Sequence, residues 1–187
     1  MTENETYHQI GHFVVRFQHV EERLTELLEL MAVTRTESPT IALNGLTHAD
    51  EEFVRILVNE LQYSQRVKTT DVMFARFVDL LPAPDDSAKK RFHELMTELR
   101  ELGEIRNKIV HSTYAPFISV EGQVGLRRES SRLAASTGQR EVQEEDLLPE
   151  SFAEDLKRLD AAQQSLETFR SKILDWLYGE ANALEAE

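Results

Sequence analysis

The chain has 187 residues, which is the size of one ordinary domain, and it contains no cysteine, 7 glycines and 5 prolines. Without cysteine it cannot form a disulfide, a thiolate zinc site or a cysteine nucleophile. Its 34 Asp and Glu outnumber 21 Lys and Arg, and the formal net charge of −13 disfavours a dedicated binder of specific duplex DNA, because such proteins neutralise phosphates with basic side chains.

The low content of turn-forming residues favours a mainly helical protein over a sandwich or barrel of many short strands. No stretch approaches 18 uninterrupted apolar residues, and the first residues are polar and acidic where a secretory signal would be basic. We therefore expect a cytoplasmic protein that does not enter a membrane.

The first half of the chain predicts three helices. Apolar side chains recur at intervals of three and four over residues 10–31, the pattern of a long amphipathic helix. Residues 33–46 break this period and predict a connection. A second helix is expected to begin after a cap at Thr47 or Asp50, with its apolar residues between Phe53 and Val67. A short third helix is expected over residues 72–81, where Pro82 prevents its continuation.

The second half predicts two further helices that flank an irregular insertion. A helix is expected to begin at residues 85–87 and to end near Ser112, and the last helix follows Pro149. Extended residues around Glu121-Gly122 predict a hairpin, because both flanks change to a strand-like pattern. Residues 127–140 are polar and basic and predict a loop with four arginines: Arg127, Arg128, Arg132 and Arg140.

Helices that each carry one apolar stripe bury those stripes against each other. The predicted fold is therefore all-α: an up-and-down bundle of four to five helices with a short hairpin insertion before the last helix. We expect a single domain over residues 1–187, with the hairpin and basic loop at about 114–146.

Most motifs of known catalytic chemistry are missing from the sequence, including nucleotide-binding glycine loops and the zinc-protease motif. His8 and His12 share one helical face and can hold a metal, although two solvated histidines have the same spacing. A second metal hypothesis uses three glutamates of the fourth helix, whose spacing is also that of a solvated face: Glu98, Glu101 and Glu104. His93 has the residue type of a phosphotransfer histidine but no supporting pattern. We expect no metal and no cofactor.

One constellation carries more information. Residues 104–112 read EIRNKIVHS, in which Arg106 is followed directly by Asn107 and, five residues after the arginine, by His111. This resembles the R-x4-H signature of the HEPN superfamily, in which a polar residue, often asparagine, follows the arginine. The architecture resembles that family over most of the chain, since HEPN domains are helical bundles with the motif late in a long helix.

The resemblance implies a metal-independent endoribonuclease that cleaves RNA at a site shared by two subunits of a homodimer. In that mechanism His111 serves as general base or acid, Arg106 contacts the phosphate, and Asn107 orients the histidine or the phosphate. Because local basic side chains attract RNA, we expect substrate binding by Lys108, Arg127, Arg128 and Arg132. The resemblance also implies a toxin–antitoxin or abortive-infection setting with an antitoxin protein as a partner.

Structural roles explain the same residues in a different way. A histidine at a helix C-terminus interacts favourably with the helix dipole, and Arg106 can brace the bundle by pairing with a buried carboxylate. A straight helix also separates Arg106 and His111 by about 140° around its axis, whereas Asn107 and His111 share a face. Two alternatives to the ribonuclease therefore stay open: a non-catalytic HEPN-like dimeric module that binds a protein partner or a nucleotide, and a metal-dependent nucleotide hydrolase.

Overall fold

The computed structural model describes residues 3–34, 48–81, 83–133 and 140–184. In this part of the chain, four helices precede the sheet: α1 (Glu3–Thr34), α2 (His48–Glu60), α3 (Tyr63–Asp79) and α4 (Asp86–Val110). Three strands follow: β1 (Thr113–Ile118), β2 (Val124–Leu133) and β3 (Arg140–Leu147). A 3-10 turn (Pro149–Phe152) then leads into α5 (Ala153–Leu184). The described chain is thus mostly helical, with one three-stranded antiparallel sheet in the order β1-β2-β3.

The chain divides into two compact units, and the division falls within the long helices α1, α4 and α5. The first unit consists of Met1–Gln18 and Leu102–Asp160, and the second of His19–Glu101 and Ala161–Glu187. The single domain over residues 1–187 stays a prediction.

Apolar side chains of α1, α4, the sheet and the start of α5 form the core of the first unit. Its buried members are Phe13, Phe17, Leu102, Ile109, Leu126, Leu147, Phe152 and Leu159. These are the residues of the predicted apolar stripes together with two strand residues. Burial of such side chains is the dominant favourable term in folding.

The second unit has an aromatic cluster at its centre. The Phe74 and Phe92 rings are stacked with centroids 3.9 Å apart, and Phe169 contacts both rings edge-on at 5.3 Å and 4.9 Å. Edge-to-face contacts such as those of Phe169 are a favoured geometry of aromatic pairs.

The predicted boundary between the second and third helices is wrong. The chain breaks at Leu61 and Gln62, so that α3 already begins at Tyr63. Side chains make this break, since Arg66 Nε donates to the Leu61 carbonyl at 3.0 Å and the Gln62 N–H donates to Gln65 Oε1 at 3.0 Å. The predicted connection over residues 33–46 lies outside the described residues from residue 35 onward.

The predicted hairpin is confirmed. Strands β1 and β2 pair antiparallel from Thr113 opposite Glu129 to Ile118 opposite Val124. The turn closes through a Gly122 N–H to Ser119 carbonyl bond of 2.9 Å, and Gly122 has a φ of 78°. A type I turn followed by a left-handed residue is a common three-residue hairpin loop, and glycine adopts that conformation without steric cost.

The prediction of an all-α fold is wrong, because the described residues of the basic segment, 127–133 and 140, belong to strands. Strand β2 runs on through Arg127 and Arg128, and Arg140 begins β3. In the register of the two strands, Arg127 lies opposite Asp146 and Arg128 opposite Glu145. Such opposite-charge pairs across strands stabilise a sheet, so the charge pattern that predicted a solvated loop instead joins two strands.

Candidate functional site

The predicted motif lies at the C-terminal end of α4, within the first unit. The His111 N–H donates to the Asn107 carbonyl at 3.0 Å, so the α-helical hydrogen-bond pattern extends to the histidine. At 100° per residue, Arg106 and His111 therefore leave the helix about 140° apart, and Asn107 and His111 lie on one face. One copy of the helix does not direct both the arginine and the histidine at a single phosphate.

Arg106 is half-buried and has two partners. Its guanidinium carbon lies 5.9 Å from the centroid of the Phe17 ring on α1, a cation–π distance. Its Nη1 donates to Asn107 Oδ1 at 3.2 Å. No carboxylate pairs with Arg106 among the described side chains, so the predicted brace to a buried acid is not what holds it. Phe17 and Asn107 position a guanidinium that keeps further donors for an anion.

His111 is exposed at the helix end. The carbonyl oxygens that a terminal histidine would cap are already bonded, because Ser112 Oγ donates to the Lys108 carbonyl and Tyr114 Oη donates to the Ile109 carbonyl at 2.7 Å. Within the described part of the chain, the imidazole itself forms no hydrogen bond and no ion pair. The ring is therefore available to a ligand, and the capping role is taken by its neighbours.

Tyr114 fixes the helix end to the sheet. It is the second residue of β1 and lies opposite Arg128 of β2, whose guanidinium forms an ion pair with Glu145 of β3. Burial raises the pKa of the Tyr114 phenol, and the Arg128 charge opposes that rise. The hydroxyl consequently stays protonated and donates to the helix.

The residues predicted to bind RNA differ in their surroundings. Lys108 is exposed on α4 and has no acid against it in the described structure. Arg127 is bound by Asp146 through two bonds of 2.7 Å and 3.0 Å, and its guanidinium carbon lies 5.7 Å from the Phe117 ring centroid. Arg128 is 15% exposed and paired with Glu145. The side chain of Arg132 lies outside the described part.

Among the described residues, neither of the two predicted metal sites has a complete set of ligands. The His8 and His12 rings have centroids 6.3 Å apart, as expected for one helical face. Across the described residues, however, no three His, Asp or Glu side chains form a group that can hold a metal, either there or at the glutamates of α4. His93, the phosphotransfer candidate, contacts Asp71 through its Nδ1 at 2.7 Å.

Sequence reasoning missed three supporting residues: Phe17, Ser112 and Tyr114. Ser112 directly follows the motif and Tyr114 comes two residues later, so a search for groups able to cap the last turn of α4 would have found them. Phe17 lies 89 positions from Arg106, and no local pattern predicts that contact.

Comparison of the chain with protein-family models, with curated proteins and with solved structures gives no match in any of the three. Among the described helices, none is both long enough and apolar enough to cross a membrane.

Proposed function

We propose that this chain is a metal-independent endoribonuclease of the HEPN type, with Arg106, Asn107 and His111 as its catalytic residues. The observation that carries the proposal is the exposed His111 ring, which forms no hydrogen bond within the described structure, at a helix end whose Lys108 and Ile109 carbonyls accept hydrogen bonds from Ser112 and Tyr114. His111 has no structural hydrogen bond within the described structure and lies one turn after the Arg106–Asn107 pair. Such a histidine is suited to acid–base chemistry on a phosphodiester.

The reaction uses the ribose 2′-hydroxyl as the nucleophile. His111 accepts the proton of that hydroxyl, the 2′-oxygen bonds to phosphorus, and the bond between phosphorus and the 5′-oxygen breaks. A protonated His111 of the second copy gives its proton to the departing 5′-oxygen. The products are a 2′,3′-cyclic phosphate and a 5′-hydroxyl. Arg106 stabilises the charge that develops on the two non-bridging oxygens, for which its planar fork is suited.

A two-fold homodimer completes the site. The divergence of about 140° between Arg106 and His111 persists because α4 stays α-helical to its end. A second copy brings another arginine and another histidine to the same phosphate, and two-fold dimers are the commonest protein oligomers. An up-and-down arrangement of the helices, a cytoplasmic location, a toxin or abortive-infection role and an antitoxin partner belong to this same proposal.

RNA binding depends first on Lys108, which is exposed on the same helix. Arg127 and Arg128 are assigned to the RNA surface as well, together with Arg132 of β2. For Arg127 and Arg128, RNA phosphates must compete with Asp146 and Glu145 for the guanidinium groups. Their contribution to affinity is therefore smaller than their charge suggests.

The second candidate function is a non-catalytic, dimeric HEPN-like module that binds a protein partner or a nucleotide. The net charge of −13 favours it, because that charge repels a polyanionic substrate at long range. The two candidates differ in whether the phosphodiester bond is broken.

The test is cleavage of single-stranded RNA by the purified protein in EDTA, with analysis of the new ends. The proposal predicts 2′,3′-cyclic phosphate and 5′-hydroxyl ends, and no cleavage where a 2′-deoxynucleotide precedes the scissile phosphate. Binding without cleavage would select the module. Activity that needs added magnesium and leaves other ends would select the metal-dependent hydrolase.

A further inference from the structure

One face of α1 in the first unit is exposed and carries no formal charge over four turns. Residues 4–18 place on it two apolar residues, Tyr7 at 42% and Val15 at 49% exposure, one turn on either side of Gly11. Asn4 and Gln18 extend the face at its two ends. This face has no Asp, Glu, Lys or Arg, although 29% of the residues of the chain are charged.

Among the described residues, no steric contact explains the glycine at position 11, the centre of this face. A Cβ atom placed on it meets nothing within 4 Å, and its φ does not lie in the left-handed region. Glycine destabilises a helix interior relative to alanine, so the sequence retains an unfavourable residue where a larger one would fit. Glycine in a helix allows the backbone of another helix to approach closely.

We propose that this surface, which we call the α1 face (Asn4, Tyr7, Gly11, Val15 and Gln18), is where a second copy of the chain docks. This assignment rests on the proposed function, which requires a two-fold homodimer, and it names the surface through which that dimer forms. The first unit contains both the α1 face and the motif of α4, and Phe17 of the same helix contacts Arg106.

The α1 face is complementary to itself. When two copies of α1 cross antiparallel about Gly11, Tyr7 of one copy lies opposite Val15 of the other, and Asn4 lies opposite Gln18. Apolar groups thereby meet apolar groups, and amides meet amides with which they can exchange hydrogen bonds. This is the self-complementarity that a two-fold interface requires. No pair of like charges is brought together, although the protein as a whole carries a charge of −13.

The experiment measures the oligomeric state by sedimentation velocity over a range of concentrations. The wild type should be a dimer, and Gly11→Leu should be a folded monomer, because two leucines collide at the two-fold axis while each has room in its own chain. Tyr7→Glu and Val15→Lys should each raise the dissociation constant at least about tenfold, because each places an unpaired charge against an apolar partner.

Combining Tyr7→Glu with Val15→Lys should restore the dimer, because the new carboxylate of one copy then faces the new ammonium group of the other copy in the antiparallel crossing. Val72→Lys, at a similarly exposed valine of α3 (63% exposed), is the matched control and should leave the dimer intact. A monomeric wild type, a dimeric Gly11→Leu variant or a failure of the double variant to recover would overturn the assignment of this face.

RNA cleavage by the wild type separates this inference from the proposed function. If the wild type cleaves RNA while Gly11→Leu stays dimeric, the ribonuclease stands and the α1 face is wrong. If Gly11→Leu becomes monomeric while the wild type never cleaves, the α1 face is right and the ribonuclease is wrong.

Discussion

The proposed phosphate contact of Arg106 depends on how the structure holds this one side chain. Its guanidinium packs over the Phe17 ring and bonds to the Asn107 amide oxygen, and both contacts use its flat, delocalised shape. An ammonium group offers a compact charge without that plane. The arginine is therefore specified by geometry as well as by charge.

For this reason, Arg106→Lys should lower kcat/KM for RNA cleavage by about ten- to a hundredfold, because the charge is kept while the two-pronged phosphate contact is lost. The melting temperature should change little, since the variant weakens only one cation–π contact and one hydrogen bond of a half-buried side chain. Arg100→Lys, at an exposed arginine of the same helix, is the matched control and should retain full activity. Full activity of Arg106→Lys, or a large fall in its melting temperature, would identify Arg106 as a structural residue.

At the scale of elements, side chains define both ends of α4. Asp85 directly precedes the first residue of α4. Its Oδ1 accepts a hydrogen bond from the Ala88 N–H at 2.9 Å, and Lys172 Nζ lies 2.6 Å from its other carboxylate oxygen. The Lys172 hydrogen bond, followed by those of Ser87 and Ala88, holds the pKa of Asp85 well below its usual range. The Asp85 carboxylate therefore caps the N-terminus of α4.

Asp85→Ala should therefore lower the melting temperature by roughly 2–4 °C at pH 7 and fixed protein concentration, as the loss of one N-cap does in a chain of this size. Because the folded-state pKa is lowered, the contribution is fully present above the ordinary pKa of about 3.9 and is lost as the pH falls. The difference between wild type and variant should thus shrink between pH 5 and pH 2. Asp86→Ala, at the neighbouring carboxylate that contacts Lys89, is the control and should show neither effect to the same extent.

The long helices were predictable because their apolar residues keep one period. In α5, for example, Leu159, Leu166, Phe169 and Ile173 are all buried, as their spacing requires. Strand β3 was not predictable, since its sequence REVQEEDL is rich in residues that strands disfavour and has only Val142 and Leu147 as apolar members. What forms that strand is pairing with β2, a contact between distant residues that local patterns do not contain.

The candidate site was predictable in part for the same reason. The order of Arg106, Asn107 and His111 and their angular spacing follow from one helix and can be read from sequence. The packing of Phe17 on the arginine and the bond from Tyr114 to the Ile109 carbonyl join separate elements. Only the structure shows that other groups satisfy the helix end and leave the histidine exposed.

At the scale of the whole molecule, the net charge of −13 opposes the proposed binding of RNA at long range. The logarithm of the affinity for single-stranded RNA falls linearly with the logarithm of the salt concentration. Each phosphate that a basic side chain neutralises contributes about −0.7 to the slope of that line. If Arg106 and Lys108 of two copies make the contacts, the slope should be no steeper than about −3. Titration of labelled single-stranded RNA at several salt concentrations measures it. A slope steeper than about −5 would show that Arg127 and Arg128 also leave their carboxylates to bind RNA.

The central claim is that His111 transfers a proton during RNA cleavage, and chemical rescue tests it most directly. Single-turnover cleavage in EDTA should fall by about 10²- to 10⁴-fold in His111→Ala, the usual loss for a general acid or base, and added imidazole should restore part of it at the exposed site. His93→Ala, at another exposed histidine of α4, should retain activity. If His111→Ala cleaves as fast as the wild type, or if imidazole gives it no activity while its fold and dimer are intact, the account is contradicted.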